Sequence, residues 1–167
     1  MKRPKPSCSC SRTEKPKLQP GDAAAALIQL TDGRYVLQLR VAKPDIFYPN
    51  HWGCFGGAID DNETPEAALV RELAEELGLR LVESAVTRFT RFTHDFGFAG
   101  LGTINRIYFH FSLSDIAGLR LQEGAGIAAF AADQALQGLR MVHYDALALW
   151  MHHNRGRIGR VGAGEID

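Results

Sequence analysis

No stretch of this chain is apolar for long enough to cross a bilayer, and neither sign of charge prevails: 19 lysines and arginines face 19 aspartates and glutamates. The first absence excludes a membrane-spanning helix. The second leaves no global basic field to hold a polyanion, so nucleic acid is not expected as a partner. Cysteine is scarce. Cys8, Cys10 and Cys54 make an odd number, which suits a reducing compartment better than a disulfide framework. Cys8 and Cys10 lack the nearby histidine or second cysteine pair that a zinc site needs. Met1 to Pro20 is basic and rich in proline and serine, without the apolar stretch of a secretion signal. A cytoplasmic protein is the expectation.

Present instead is enough apolar sequence, 46% of residues, for one domain with a proper core. Residues 1–20 read as a flexible N-terminal tail, 21–154 as the folded domain, and 155–167 as a glycine-rich, basic C-terminal tail containing Arg155, Arg157 and Arg160. Ala23 to Leu30 is apolar; its poly-alanine would suit a helix, but the Thr31-Asp32-Gly33 turn and the run Arg34 to Arg40 favour a β-hairpin. A loop over 43–51 leads to a short strand, Trp52 to Phe55, that breaks into Gly56-Gly57. The clearest helix spans 64–77: Thr64 can cap it, Pro65 suits its first position, and Glu66 suits the positive end of its dipole. Leu69, Leu73 and Leu77 form a core stripe, and Gly78 is a stop. Residues 86–98, 103–114 and 126–132 read as strands, 132–137 as a short helical turn, and 143–153 as a closing helix. The order implies a mixed α/β fold.

Glu72, Glu75 and Glu76 converge on one side of that helix, beside the leucine stripe. Like charges at this spacing cost a few tenths of a kcal/mol per pair (about 0.2–0.5) unless solvent or a bound cation relieves them. Hard divalent cations take such oxygens and share substrate phosphates.

The wider pattern is Gly57, five residues, Glu63, seven residues, then Arg71-Glu72-Leu73-Ala74-Glu75-Glu76-Leu77-Gly78-Leu79. This resembles the signature of the Nudix hydrolase family (MutT-like) at every specified position, a coincidence on the order of 10⁻⁸ at any one start. The resemblance implies an α/β/α sandwich around a mixed β-sheet. It implies Mg²⁺, with Mn²⁺ as a substitute, held by Glu72, Glu75, Glu76 and the Gly57 carbonyl. Arg71 would orient the carboxylates, Glu63 would serve as a structural partner in the loop, Gly56 would let the backbone turn tightly, and Gly78 would end the helix. The activity implied is hydrolysis of a phosphoanhydride bond in a nucleoside diphosphate linked to another moiety, such as a nucleotide sugar or a triphosphate. The family's base lies in the signature or in a later loop; Glu123 is the later candidate here, ahead of Glu83 and Asp95, and it reads equally as an exposed loop glutamate.

Substrate choice is not written in the signature. Phe55 stands where nucleotide-pool-cleaning members often carry proline, which weakens a damaged-nucleotide reading. Phe47, Tyr48, Trp52, Phe89, Phe92, Phe96 and Phe98 could stack a base, although each also reads as core. Arg88, Arg91 and Arg106 could hold phosphates or read as surface arginines. His51 and His94 read as structural, His152-His153 as helix surface, and Cys54 as a small buried thiol. The alternative is a non-catalytic nucleotide-binding regulatory module, disfavoured because a binder has no need of clustered charge. Isoprenoid diphosphate isomerisation and RNA decapping are disfavoured by the missing cysteine motif and the missing basic extension. Exposed strand edges would allow a homodimer.

Overall fold

The computed structural model describes residues 21–44, 46–95, 97 and 102–158. The expected tail over 1–20 with Cys8 and Cys10, residues 159–167 with Arg160, and Phe96 and Phe98 lie outside the described residues. In chain order the strands are β1 (Ala23–Leu30), β2 (Tyr35–Leu39), β3 (Trp52–Gly53), β4 (Thr87–Asp95), β5 (Thr103–Leu113) and β6 (Gly126–Phe130). The helices are α1 (Pro65–Leu77), α2 (Ala132–Gly138), α3 (His143–His153) and α4 (Arg155–Ile158). The strand expected over 52–55 is cut to two residues, with Phe55 reaching β1 through a single bridge to Ala26.

The poly-alanine run is a strand because both of its edges find partners. β1 and β2 close the hairpin at Ile28↔Val36 and Gln29↔Tyr35. On its other edge β1 runs parallel to β5 in unbroken register from Ala23↔Arg106 to Leu30↔Leu113. Gly33 supplies the left-handed turn (φ 90°), and the Asp32 carboxylate accepts the Arg34 N–H at 3.0 Å. The sheet is mixed, in the order β3-β2-β1-β5-β4, with β6 antiparallel to β2. A parallel central pair must be covered on both faces, and it is. Ala24, Ala26, Ile28, Ile107 and Phe109 pack under the Leu69-Leu73-Leu77 stripe of α1. Ala25, Leu27 and Tyr108 pack on the other face with Ala135, Ala148 and Leu149 of α2 and α3. The result is the expected α/β/α sandwich. Among the described residues no helix is long and apolar enough to cross a membrane.

α1 starts and stops as its sequence dictates. The Thr64 hydroxyl accepts the Ala67 N–H at 3.1 Å. Gly78 takes φ 65°, its N–H reaches the Ala74 carbonyl at 3.0 Å, and the Leu79 N–H reaches the Leu73 carbonyl at 3.2 Å.

Two expectations at the C-terminal end need correction. His152 is not on the helix surface: it is fully buried between the sheet and α3. Its Nδ1 lies 2.7 Å from the Tyr35 hydroxyl and 3.1 Å from an Arg155 guanidinium nitrogen. Because arginine can only donate, Nδ1 accepts and the ring proton sits on Nε2. That nitrogen is sealed without a hydrogen bond and packs among Phe89 and His110, each ring about 5.0 Å away. The folded chain also runs past 154. Arg155 donates to the His152 carbonyl at 2.6 Å, anchoring the extra turn α4.

Burial first, then the Arg155 charge, depresses His152 to about 4 from an ordinary 6.5. The unfolded chain therefore binds the extra proton between these values, and the contribution present above pH 6.5 is lost as pH falls toward 4. The stability difference between the wild type and His152→Phe is expected to move by about 2 kcal/mol against the wild type from pH 7.5 to pH 5. Urea denaturation at both pH values measures it; a pH-independent difference would contradict a neutral buried imidazole.

Candidate active site

The signature residues gather where the N-terminal half of β1, the glycine turn and the C-terminal half of α1 meet. Backbone proximity explains the glycines. A Cβ on Gly56 (φ 126°) would lie 2.2 Å from the Ala24 carbonyl oxygen, and one on Gly57 would lie 2.4 Å from the Glu72 carboxylate. The Gly57 carbonyl accepts the Ala24 N–H at 3.0 Å, which pins the turn to β1. Asp60 to Glu63 closes a local turn through Asn62 (φ 67°), and the Glu63 carboxylate accepts the Asp60 N–H at 3.2 Å.

Arg71 ties this turn to the helix. Its Nε and Nη2 grip the two oxygens of Glu63 at 3.1 and 2.9 Å, Nη2 reaches the Ala58 carbonyl at 3.0 Å, and Nη1 holds Glu72 at 2.7 Å. Glu75 lies 3.5 Å from Nη1 and Asp60 3.8 Å from Nη2. A bidentate fork is the geometry for which guanidinium is suited and ammonium is not. Its bonds to Arg71 hold Glu63 below the usual carboxylate range, despite some burial.

The other carboxylates are pushed the opposite way. Glu76 is 7% exposed. Its Oε2 accepts the Gly56 N–H at 2.8 Å and its Oε1 accepts from Gln38 Nε2 at 3.1 Å. Desolvation outweighs those bonds, and with the charges of Glu72 and Glu123 it raises Glu76 to about 7. Glu72 is also raised, by burial first, with Glu75 and Glu123 adding and Arg71 opposing. Glu76 thus stabilises the fold at low pH and loses that contribution as pH rises through 7, opposite in sign to His152. Glu75 remains solvent-exposed, with 58% of its side chain accessible.

Glu123 sits on an exposed loop whose backbone is docked at the end of α1. The Arg120 N–H donates to the Leu77 carbonyl at 2.9 Å, the Gln122 N–H to the Glu76 carbonyl at 2.8 Å, and Gln38 Nε2 to the Glu123 carbonyl at 3.3 Å. Gln38 therefore joins the helix carboxylate to the later loop. It was not singled out from the sequence; the available signal was a polar residue on the inward face it shares with Val36. Gly124 (φ 100°) passes so close that a Cβ there would lie 3.0 Å from the Gln38 side chain.

The donor set is all oxygen, partly buried and mutually repelling, which fits a hard divalent cation better than a soft one. Among the described residues, no three carboxylate, histidine or cysteine side chains already converge to close around an ion. Glu72 leans to Arg71, Glu76 to Gly56 and Gln38, and Glu75 to solvent.

Beside the glycine turn opens a cavity of about 300 Å³ whose lining includes Gly56, Gly57, Phe47, Tyr48, Arg106 and Tyr144. Of the three arginines noted in the sequence, only Arg106 reaches it. Arg88 is surface-exposed and pairs loosely with Glu66 at 3.5 Å, while Arg91 lines an adjoining groove with His143 and Leu147, which shares Tyr48, His94 and Tyr144 with the cavity. Trp52, Phe89 and Phe92 are partly buried and pack against the core. His51 is structural: its Nε2 accepts from Arg140 at 3.1 Å, so Nδ1 donates to the Pro49 carbonyl at 2.8 Å. Cys54 is a buried free thiol raised well above its usual range by burial, which removes it as a nucleophile. Asp95 is spent on the Gly97 N–H at 2.7 Å, and Glu83 lies in the short 3₁₀ turn Glu83–Ala85. The acid that the sequence did not flag is Asp145 of α3, 1% exposed and bound to Arg106 at 3.2 Å.

Comparison with known proteins agrees with this geometry. The NUDIX domain family model matches residues 19–158. A nucleoside triphosphatase, NudI, of Salmonella heidelberg (strain SL476) is 42% identical over 64 residues, 38% of this chain and 44% of that protein. An 8-oxo-dGTP diphosphatase of Proteus vulgaris is 47% identical over 45 residues, 27% of this chain and 38% of that protein. This chain thus spans less than half the length of these curated relatives. The crystal structure of a MutT NUDIX hydrolase from Burkholderia pseudomallei superposes with a TM-score of 0.63 at 26% identity, covering 80% of this chain and 98% of that one.

Gln38→Met removes a donor from a buried carboxylate. At pH 8 it is expected to lower the unfolding free energy by about 1–3 kcal/mol, and by clearly less in a Glu76→Gln background. A double-mutant cycle by chemical denaturation tests this; equal losses in both backgrounds would show the two side chains to be uncoupled.

Proposed function

The chain belongs to the Nudix family, and from that premise we propose that it hydrolyses a phosphoanhydride bond of a nucleoside diphosphate derivative, with nucleoside triphosphates and nucleotide sugars as the leading substrates. The observation that carries the reading is the Arg71 fork, which locks Glu63 and Glu72 while the buried Glu76 is held at the glycine turn. The triphosphatase and diphosphatase names of the two curated relatives support the same bond class.

Glu72, Glu75, Glu76 and the Gly57 carbonyl would hold Mg²⁺, or Mn²⁺ in its place. A divalent cation at such a site neutralises the diphosphate oxygens and lowers the pKa of bound water. Around it this chain's residues do the rest. The Gly56-Gly57 turn, bare of side chains, lets the diphosphate approach the helix. Arg71 opposes the rise that burial imposes on Glu72 and aims its carboxylate, so it is a positioning residue. Glu123, whose charge is felt by both Glu72 and Glu76, accepts the proton of the attacking water from its docked loop. The adjoining cavity takes the nucleoside. A regulatory, non-catalytic module would have no use for two carboxylates raised by burial and mutual repulsion, which lower the stability of the metal-free protein above neutral pH.

A panel of nucleoside triphosphates, nucleotide sugars, ADP-ribose and dinucleotides, run with Mg²⁺ and with EDTA, tests the reading. Cleavage of at least one class is expected only with metal, with Glu76→Gln at least ~100-fold slower, consistent with losing an interaction that acts on the transition state. Glu123→Gln is expected to lower kcat by about 10²-fold or more with little change in KM. Unchanged turnover in Glu123→Gln would return the base to the helix, and metal-independent cleavage would sink the mechanism.

A further inference from the structure

Arg106 stands on β5 with its side chain 14% exposed, a charged group taken almost wholly out of water. Everything around it holds it still. Its Nε donates to the Tyr108 hydroxyl and to Asp145 Oδ1, each at 3.2 Å. The Tyr108 hydroxyl donates to the same Oδ1 at 2.6 Å, and Asp145 Oδ2 accepts the Cys54 N–H at 2.9 Å. The guanidinium carbon lies 4.7 Å from the centroid of the Tyr144 ring, so that ring covers one face. Only Nε is used. Neither terminal nitrogen has a hydrogen-bond partner among the described residues, and neither is sealed from solvent. Arg106 lines the cavity beside the glycine turn, so these donors face that space.

The cavity constrains what they could meet. Its other walls include Phe47, Tyr48, Ile104 and Tyr144, and no carboxylate lines it among the described residues. Its second arginine, Arg40, is turned to the Phe47 carbonyl at 2.9 Å and braces the aromatic loop. Asp145 neutralises Arg106, which suits a neutral acceptor better than an anion. Aromatic walls favour a flat apolar body over a phosphate or a sugar acid. Gly56 and Gly57 at one side place any attached phosphates next to the carboxylates of α1.

The geometry points to Arg106 as a specificity-determining residue whose terminal N–H fork reads the O6/N7 edge of an unoxidised guanine, making this a site for guanine nucleotides. The inference rests on the proposed nucleotide site and adds the base to it. Guanine offers two adjacent acceptors at the spacing of a guanidinium fork. Adenine puts an amino donor where O6 would be. 8-Oxoguanine carries a hydrogen on N7, so at that position its edge meets the fork donor to donor, and only O6 is left to accept. Asp145, Tyr108 and Tyr144 act through Arg106 as positioning residues.

Calorimetric binding of nucleoside monophosphates in EDTA tests the base without requiring turnover. GMP is expected to bind about tenfold or more tightly than AMP, 7-deaza-GMP or 8-oxo-GMP. The 7-deaza and 8-oxo analogues change the ligand alone, so that comparison does not depend on any variant folding. Arg106→Gln combined with Asp145→Asn removes the fork without stranding a buried charge and is expected to abolish the preference. Arg106→Lys, which keeps the ion pair but not the fork, is expected to do the same, with melting curves confirming that each variant is folded. Equal affinities for the four ligands, tighter binding of 8-oxo-GMP or AMP, no detectable GMP binding, or a preference intact in a folded variant would each overturn the assignment. Triphosphate cleavage without base preference would remove this inference and leave the hydrolase reading standing; a GMP preference without cleavage would do the reverse.

Discussion

The structure turns on one arginine bound to carboxylates at a seam between helix and loop. Arg71 projects from the middle of α1 and closes a four-way junction with Glu63, Glu72 and the Ala58 carbonyl. Without it the turn from Gly57 to Glu63 would keep its bonds to Ala24 and Asp22 and its own local hydrogen bonds, but it would lose its tie to the helix. With it, the glycine backbone is pressed against both β1 and the carboxylate face, at distances that exclude a side chain on either glycine. Placing Glu72 and Glu76 in that seam costs solvation, and their raised pKa values record it. The fold tolerates the cost because the leucine stripe on the adjacent face of α1 is completely buried against the sheet. Burial of that stripe contributes several kcal/mol, on the order of 1.5–3 per leucine.

A second ion pair sits across the sheet from the first. Asp145 and Arg106 join α3 to β5, with Tyr108 between them and the Cys54 backbone as a further partner. Cys54 immediately precedes Phe55 and the glycine turn, so the two charged networks approach the site from opposite layers of the sandwich. One gathers carboxylates at the turn, the other offers N–H donors to the neighbouring cavity. In the proposed function, a diphosphate carrying a flat group spans them in the order that the chain provides. Gln38 makes a third connection, from β2 to Glu76 and to the loop of Glu123.

Much of this was legible in the amino-acid order. The spacing from Gly57 to Leu79 identified the helix, its cap, its stop and the carboxylates, because each depends on contacts within a few turns: Thr64 with Ala67, Gly78 with Ala74, Arg71 with Glu72. The hairpin was legible for the same reason, since an Asp-Gly turn acts locally. Strand limits were less so: β3 stops at Gly53 because the chain must leave the sheet edge to bring Gly56 over β1. His152 was misread as surface because a histidine pair at the end of a helix carries no periodic signal, and only the packing of α3 on Tyr35 and Phe89 buries it.

Sequence alone therefore determined the family resemblance, the mixed α/β class and the placing of Glu72, Glu75 and Glu76 on one helix, all of which rest on short-range spacing. Only the tertiary structure decided which of Arg88, Arg91 and Arg106 faces the cavity, that Asp145 holds it there, and that Gln38 binds Glu76. Those pairs lie 38 or 39 residues apart in the chain. Contacts at that separation are set by strand register and by how α3 docks on the sheet, and neither leaves a repeat in the sequence from which it could be read.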